Sequence, residues 1–450
     1  LSVGMSTASA GAIGGTATIA FVSDANNVGN CAPNCQMTLA SQDVAVQGAV
    51  YRLADPKLNT TTVTLAARRG DAPPTAAISV SNQSPDIYTE GLKAGFAGAA
   101  PAGFSTSGSI ANLAAQGTDA SSLQVALNTG TAGSFGGNAQ VNFESTGAGT
   151  TGASDVSVGN QLVSLAGNVY EKAIAKVNTA LVDFGIVHKG DVVAAKSISV
   201  SNAAPTVALN DTLQGSFINM PVGPFGGSGS VSGLAAGQTD SSSLQVSLNT
   251  ANAGVFTSSA ANLQFASHNP EMDDLNLGNA AVTLQAQVNN YANPNFLKTG
   301  GQGSLTGGGF SFVLDFGTLT EGSGVVSAFL QLANDVTGPA DLLDGAYALA
   351  LSDFLASGFV SFANLAAGAS QGGLQISLDT QTVGDFSDTI VLKALAHNGS
   401  GFSAAFDDIV LSVLATVQAG GPQVPEPGTL LLLTIALAMI VIQRRRGMLH

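Results

Sequence analysis

The chain has 450 residues, of which 45% are hydrophobic, so it is too apolar for a disordered chain and long enough for about three domains. Its formal net charge of −15 would repel a phosphate backbone, which argues against nucleic acid as a partner. The 55 glycines and the charged content of only 10% favour short strands and many turns over helices.

The N-terminal segment, residues 1–55, contains both cysteines, Cys31 and Cys35, in a short loop that also carries a proline and an asparagine. We expect a local disulfide between them, with two unreacted thiols as the alternative. A metal site is less favoured, because no further cysteine or histidine pair accompanies them. The segment itself is predicted to be the C-terminal part of a truncated repeat, because its first residues look like the middle of a unit that recurs in full.

The repeat is marked by a Leu-Gln motif of alternating apolar and polar residues. Its complete copies span residues 123–129, 244–250 and 374–380. A Leu-Ala-Ala turn precedes each copy, and a phenylalanine in a Gly-containing turn follows it. These fixed offsets define three full units.

Within each unit the apolar positions have a period of two, as at Ile198 and Val200, which buries one face of a strand. Short strands separated by turns are typical of an immunoglobulin-like β-sandwich, and the absence of a short rung repeat disfavours a parallel β-helix. In the second full unit the pattern predicts strands near residues 181–187, 196–202, 214–219, 229–234, 243–249, 260–266 and 280–288.

The predicted fold class is therefore all-β, with tandem Ig-like β-sandwich repeats followed by one C-terminal transmembrane helix. The predicted divisions after residue 55 are Ig-like repeats at 56–172 and 173–292, a linker at 293–309, a divergent Ig-like repeat at 310–418, and a sorting signal with its helix at 423–447.

Several motifs of the units resemble the choice-of-anchor D repeats of bacterial surface proteins, which are relatives of the Ig-like ASH domains. They are the Asp-Phe-Gly openings at 183–185 and 315–317, the Ser-Val-Ser-Asn strands, the Leu-Ala-Ala-Gly turns and a closing Val-Tyr. The resemblance covers most of residues 1–418 and implies a fold and a stalk-like role rather than a chemistry. The third unit departs from it, since it lacks the Ser-Val-Ser-Asn strand and the closing Val-Tyr.

The C-terminal tail combines a proline-flanked acid, a short apolar run and a basic cluster. Two prolines keep the backbone before the helix extended and open to an enzyme. The apolar run would span roughly 20 to 25 Å, short of the hydrocarbon core of about 30 Å, so it predicts a marginal membrane span. The basic cluster predicts a cytoplasmic end. The parts are Val424, Pro425, Glu426 and Pro427; Leu430, Leu431, Leu432, Leu433, Ile435, Leu437, Ile440, Val441 and Ile442; and Arg444, Arg445 and Arg446.

This ordered series resembles the PEP-CTERM sorting signal. An ordinary membrane anchor is the alternative. The resemblance implies that an exosortase, a membrane-embedded cysteine protease and transpeptidase, recognises residues 425–427 and processes the tail. It implies a Gram-negative cell that makes exopolysaccharide, transient residence in the inner membrane and later display on the cell surface or in the matrix. Since an exported chain needs a leader, we expect residues 1–450 to be the C-terminal portion of a longer protein.

Motifs for chemistry are weak in this chain. Residues 368–372 match a nucleophile elbow around Ser370 but align with turns of the other units, and residues 147–152 match a dinucleotide fingerprint without a βαβ unit. His268 and His397 are interpreted as polar turn residues. Acidic loops at 271–274 and 407–408 could gather Ca²⁺, although a solvated loop is favoured.

We therefore predict a non-enzymatic structural protein without cofactor or metal, linked to exopolysaccharide or biofilm. Two alternatives are open. One is an adhesin or a Ca²⁺- or polysaccharide-binding module, which the absence of tryptophan disfavours for sugars. The other is the non-catalytic C-terminal part of a larger secreted enzyme.

Overall fold

The computed structural model describes residues 1–30, 35–421 and 434–440. It consists of an N-terminal hairpin, three β-sandwich modules in series and a short helix at residues 434–440. The N-terminal hairpin is formed by β1 (Gly11–Asp24) and β2 (Gln36–Val50), which pair antiparallel.

Module 1 packs a four-stranded sheet, in the order β3-β5-β9-β7, on a five-stranded sheet, in the order β4-β11-β10-β6-β8. Its strands are β3 (Pro56–Leu58), β4 (Thr62–Arg68), β5 (Thr75–Asn82), β6 (Gly91–Ala97), β7 (Phe104–Ser107), β8 (Ser109–Leu113), β9 (Thr118–Leu127), β10 (Gly133–Thr146) and β11 (Val156–Tyr170).

Module 2 repeats this topology, with sheets β12-β14-β18-β16 and β13-β20-β19-β15-β17. Its strands are β12 (Ala175–Val177), β13 (Leu181–His188), β14 (Lys196–Asn202), β15 (Thr212–Asn219), β16 (Phe225–Ser228), β17 (Ser230–Leu234), β18 (Thr239–Leu248), β19 (Gly254–Asn269) and β20 (Met272–Asn289). All seven strands predicted for this unit are present. The two that the sequence pattern missed, β12 and β16, are short and lie at the edges of their sheet.

Module 3 has the same two layers but a larger second sheet, because two extra strands join it: β22 covers the edge of β23, and β30 pairs with β29. Its strands are β21 (Pro294–Gly301), β22 (Ser304–Gly308), β23 (Ser311–Thr320), β24 (Val325–Asn334), β25 (Leu342–Ala350), β26 (Leu355–Ser357), β27 (Phe362–Leu365), β28 (Ser370–Asp379), β29 (Gly384–His397), β30 (Ser403–Ala405) and β31 (Ile409–Gln418). The predicted linker at 293–309 is therefore wrong. Most of this segment forms β21 and β22, and Phe296 and Leu305 pack in the core of this module.

Each module encloses its own hydrophobic core, and the alternating motifs supply it. Leu123, Val125 and Leu127 of the first Leu-Gln motif are fully buried, and the matching residues of the other two modules are buried as well. Between them, Gln124, Gln245 and Ser247 are exposed, as the period of two predicts. The fold class is thus an all-β series of sandwiches.

A fully buried asparagine at the same place in each module explains the Leu-Ala-Ala turns. In module 2 the side-chain amide of Asn202 donates to the carbonyl of Leu234, and its Oδ1 accepts the backbone N–H of Ile174, where the chain enters the module. Asn82 and Asn334 make the corresponding bonds in modules 1 and 3. One side chain therefore ties the turn to the entering chain.

Candidate functional site

The residues of the predicted sorting motif, Val424 to Pro427, lie outside the described residues, as do Leu430 to Leu433, Val441, Ile442 and the three arginines. The described part of the apolar run is the helix at 434–440, in which Ile435, Leu437 and Ile440 are exposed. Over the described ranges, no helix has both the length and the apolar character needed to cross a membrane. The predicted transmembrane span is therefore not supported by the described helix.

Cys35 is disulfide-bonded. Its expected partner, Cys31, lies outside the described residues, so the pairing stays a prediction.

A buried ion pair joins modules 1 and 2. Arg68, the last residue of β4, places its Nε atom 2.6 Å from Oδ2 of Asp211, which belongs to module 2 and is 0% exposed. The hydroxyl of Ser267 donates to the same carboxylate oxygen, and the amide of Asn269 donates to the other one. Both oxygens of this buried anion thereby accept short hydrogen bonds, three in all.

The guanidinium of Arg68 also reaches past the carboxylate. Its second nitrogen donates to the backbone carbonyls of Ser267 and Asp273, at 3.1 and 2.9 Å. Both carbonyls lie on the β19–β20 hairpin, so one side chain of module 1 clamps a hairpin of module 2. The flat, multidentate guanidinium suits this geometry.

His188 occupies the matching position at the end of module 2. It is the last residue of β13 and pairs with Asn289 as Arg68 pairs with Tyr170 in module 1. Its Nε2 atom lies 2.8 Å from Oδ2 of Asp341, a fully buried carboxylate of module 3. The amides of Asn289 and Asn398 donate to Oδ1 of Asp341 at 3.0 and 2.9 Å.

Two aromatic rings hold the imidazole of His188 in place. Tyr291 stacks on it with centroids 4.2 Å apart and planes 8° from parallel, and Phe402 of module 3 meets it edge-on at 4.3 Å. Burial raises the pKa of the Tyr291 hydroxyl, and the charges of Asp191 and Asp341 raise it further.

Both junctions share one backbone plan. The N–H of Asp211 donates to the carbonyl of Glu171, and the N–H of Asp341 donates to the carbonyl of Asn290. At the start of module 1 the N–H of Glu90 donates in the same way to the carbonyl of Arg52. An acidic residue therefore occupies the same position in all three modules. Its backbone N–H bonds to the chain segment that enters the module.

The histidines and acidic loops singled out from the sequence serve local contacts. His268 pairs with Asp274, and His397 contacts Asp344. Glu271 accepts a hydrogen bond from Asn168 across the first junction, and Asp408 pairs with Lys393. Within the part of the chain that the structure describes, no group of three or more His, Cys, Asp or Glu side chains is placed to hold a metal ion.

The two weak catalytic motifs lie in elements that do not suit their chemistry. Ser370 begins strand β28 and donates to the side chain of Gln331, whereas a nucleophile elbow joins a strand to a helix. Residues 147–152 form the loop between β10 and β11 and are closed by backbone bonds onto Gly147. A phosphate-binding fingerprint would instead open a helix.

The junction residues were missed by sequence reasoning, although a signal was available. Arg68 and His188 each stand two residues before a glycine and three before an aspartate, in Arg68-Arg69-Gly70-Asp71 and His188-Lys189-Gly190-Asp191. Aligning the units on that Gly-Asp pair would have placed Arg68 and His188 at the same position of the repeat. Their acidic partners have no such marker.

Comparison with known proteins identifies the tail. Residues 423–446 match the PEP-CTERM protein-sorting motif. This motif is a signal for exosortase-dependent export and sorting to the cell envelope. No curated protein gives a significant match to the chain.

Solved structures similar to the chain include ASH/PapD-like and cadherin domains, at low identity. An ASH/PapD-like domain of human CEP192 is 12% identical, with 26% of this chain and 87% of that one covered and a TM-score of 0.21. Cadherin domains 3–6 of protocadherin gamma B2 are 11% identical over 90% of this chain and 84% of that one, with a TM-score of 0.33. Drosophila N-cadherin domains 1–4 are 12% identical over 90% and 83%, with a TM-score of 0.25.

Proposed function

We propose that this protein is an exported, non-enzymatic rod of the cell surface or extracellular matrix, which an exosortase sorts and processes at its C-terminal tail. The observation that carries the proposal is the sorting motif at residues 423–446, placed directly after three sandwich modules in series. The junctions support a rod, because each buries a charged or polar contact that fixes one module to the next.

In this proposal the tail is first inserted in the inner membrane and is then recognised and cut. The apolar run from Leu430 to Ile442 enters the inner membrane, the arginines from Arg444 to Arg446 stay in the cytoplasm, and all modules lie outside. The exosortase then recognises residues 425–427 and removes the rest of the tail. A span that is short for the bilayer suits a segment held only until it is cut.

Substitution of the motif tests this proposal directly. In a host with the exosortase, Pro425→Ala combined with Glu426→Ala should leave the protein at full length in the inner membrane, as followed by immunoblot of cell fractions. Pro422→Ala, which lies outside the matched residues, is the control and should be processed normally. A double variant that is still shortened and reaches the surface would show that the motif is not the signal.

We further propose that the mature rod belongs to an exopolysaccharide matrix or biofilm of a Gram-negative cell, and that its modules are of the choice-of-anchor D kind. The support is the resemblance of the tail and of the repeated motifs. If exopolysaccharide retains the rod, a strain that makes none should release the processed protein into the medium. Equal retention in both strains would overturn the matrix part and leave the sorting part intact.

A further inference from the structure

The N-terminal hairpin has the register of the last hairpin in each complete module. Gly11 faces Val50, as Gly133 faces Val169, Gly254 faces Val288 and Gly384 faces Val417. The sequence follows the register: residues 11–23 read GAIGGTATIAFVS, and residues 133–145 of module 1 read GSFGGNAQVNFES. The hairpin is thus built like β10 and β11.

The residues ahead of the hairpin match the preceding strand of module 1. Residues 1–7 read LSVGMST, and residues 123–129 read LQVALNT, each ten residues before the hairpin glycine. The packing agrees with this alignment. A Cβ atom on Gly48 would lie 2.6 Å from the sulfur of Met5, and one on Gly167 would lie 2.6 Å from a methyl carbon of Leu127.

The apolar face of the hairpin is open where module 1 is closed. Phe21 is 38% exposed and Val44 is 46% exposed, whereas their counterparts Phe143 and Val163 are 1% and 0% exposed. A groove of about 210 Å³ runs along this face, lined by apolar residues that include Val3, Met5, Ile13, Ala17 and Val46. Within the described residues, β1 and β2 pair only with each other. An apolar sheet face of this kind marks a docking surface.

Among the described residues, the carboxylate at the start of module 1 also lacks the partner that the other junctions have. Glu90 occupies the position of Asp211 and Asp341 and is buried, yet the side chains that reach it, Ser145 and Thr151, come from module 1 itself. In the other two junctions a basic side chain, Arg68 or His188, contacts the carboxylate. It lies at the end of the strand that runs parallel to the last strand of the preceding module. The corresponding place here is the free edge of β2.

We infer that the N-terminal hairpin is the end of a fourth sandwich, and that its apolar face takes a polypeptide segment built like residues 53–122, joined ahead of Leu1. That segment supplies most of the facing sheet, whose counterpart in module 1 buries Ile78 and Val80, and a strand parallel to β2. The last residue of that strand has a basic side chain that contacts Glu90, as Arg68 contacts Asp211. A second copy of the chain, packed hairpin to hairpin, is the competing occupant.

A graft from the protein itself tests the inference. Residues 53–122 fused ahead of Leu1 of the full chain should rebuild a sandwich, because Leu1 corresponds to Leu123. Hydrogen exchange of the amides in β1 and β2 should slow by on the order of 100-fold or more, since core strands open only with their whole unit. The control is the same graft with its copy of Ile78 changed to Asp, which should leave hairpin exchange as fast as in the unfused chain.

Two further measurements keep the inference open to failure. Arg68→Gln within the graft should leave the hairpin protected but speed exchange around Glu90 by about tenfold, the loss of one charged hydrogen bond. The molar mass of the unfused chain, from light scattering, should be that of a monomer. A dimer that Val44→Asp dissociates, or a folded graft that leaves hairpin exchange unchanged, would overturn the inference.

Discussion

The two complete junctions between modules hold a buried aspartate at the same place but satisfy it by different chemistry. Between modules 1 and 2, Asp211 meets a guanidinium that also bonds two backbone carbonyls. Between modules 2 and 3, Asp341 meets an imidazole and two side-chain amides, and the imidazole rests on aromatic rings. The same backbone arrangement therefore accommodates an ion pair with Arg68 at one junction and a ring-stacked His188 at the other.

The difference shows which part of a junction the fold dictates. The backbone bonds from Asp211 and Asp341 to the preceding chain fix where each carboxylate lies, and the parallel strand fixes where its partner must start. The identity of that partner is free, provided that the buried anion is satisfied. Each carboxylate also accepts two hydrogen bonds from neutral side chains, whichever basic residue it meets.

The largest expected difference comes from deleting each partner. Arg68→Ala should destabilise the first junction by about 3 to 5 kcal/mol, because it leaves a fully buried carboxylate without its cation. His188→Ala should cost about 1 to 3 kcal/mol, because it removes one hydrogen bond to Asp341, whereas Arg68→Ala also removes the bonds to two backbone carbonyls. Hydrogen exchange of the β19–β20 turn and of the loop around Asn398, measured in the full chain, gives the two opening free energies.

The double variants Arg68→Ala, Asp211→Asn and His188→Ala, Asp341→Asn are the matched controls for these deletions. Neutralising the carboxylate should recover part of the loss, and it should recover more at the first junction. Equal costs for both single deletions would mean that the two partners are equivalent, contrary to the comparison.

A smaller effect is expected from the aromatic stack. Phe402→Leu keeps an apolar side chain but removes the edge-on ring at His188, so it should weaken the second junction by about 0.5 to 1.5 kcal/mol. The same exchange measurement around Asn398 checks this, and the first junction serves as the internal control. If the β19–β20 turn changes by as much as the Asn398 loop, the effect is not local to the stack.

The smallest expected effect is a loss of stability at alkaline pH, caused by the ionisation of one tyrosine at each junction. Burial raises the pKa of Tyr170, and the negative charges of Glu271 and Asp211 add to the shift. Tyr291 is raised by burial and by Asp191 and Asp341. Since the folded state favours the neutral hydroxyl, stability is unaffected below a pH of about 10 and falls as the pH rises above it.

Ultraviolet titration checks this expectation, because tyrosinate absorbs where tyrosine does not. Tyr170→Phe and Tyr291→Phe should each remove one late-titrating group, while the late titration of Tyr347, whose pKa is raised by burial, should remain. Loss of an early-titrating group from either variant would contradict the assignment.

Much of the fold was predictable because it rests on local patterns. The Leu-Gln motif predicted a strand in every module, because alternation decides which face is buried. The linker at 293–309 was predicted wrongly, since Asn and Gly mark turns between strands as readily as linkers between domains. The junctions needed three dimensions: Arg68 and Asp211 are far apart in the chain, and neither residue type signals a partner. The sorting motif was predictable because it is contiguous.

The parallel pairing of the last strand in each module has a mechanical consequence. β11 runs parallel to β4, β20 to β13 and β31 to β23. A pull that enters near the start of one such strand and leaves at the end of its partner acts at opposite ends of the pair. Their hydrogen bonds are then loaded together in shear rather than opened one at a time. A chain tethered at its C-terminus and pulled from its other end would resist extension module by module, at a strength set by the rate of unfolding.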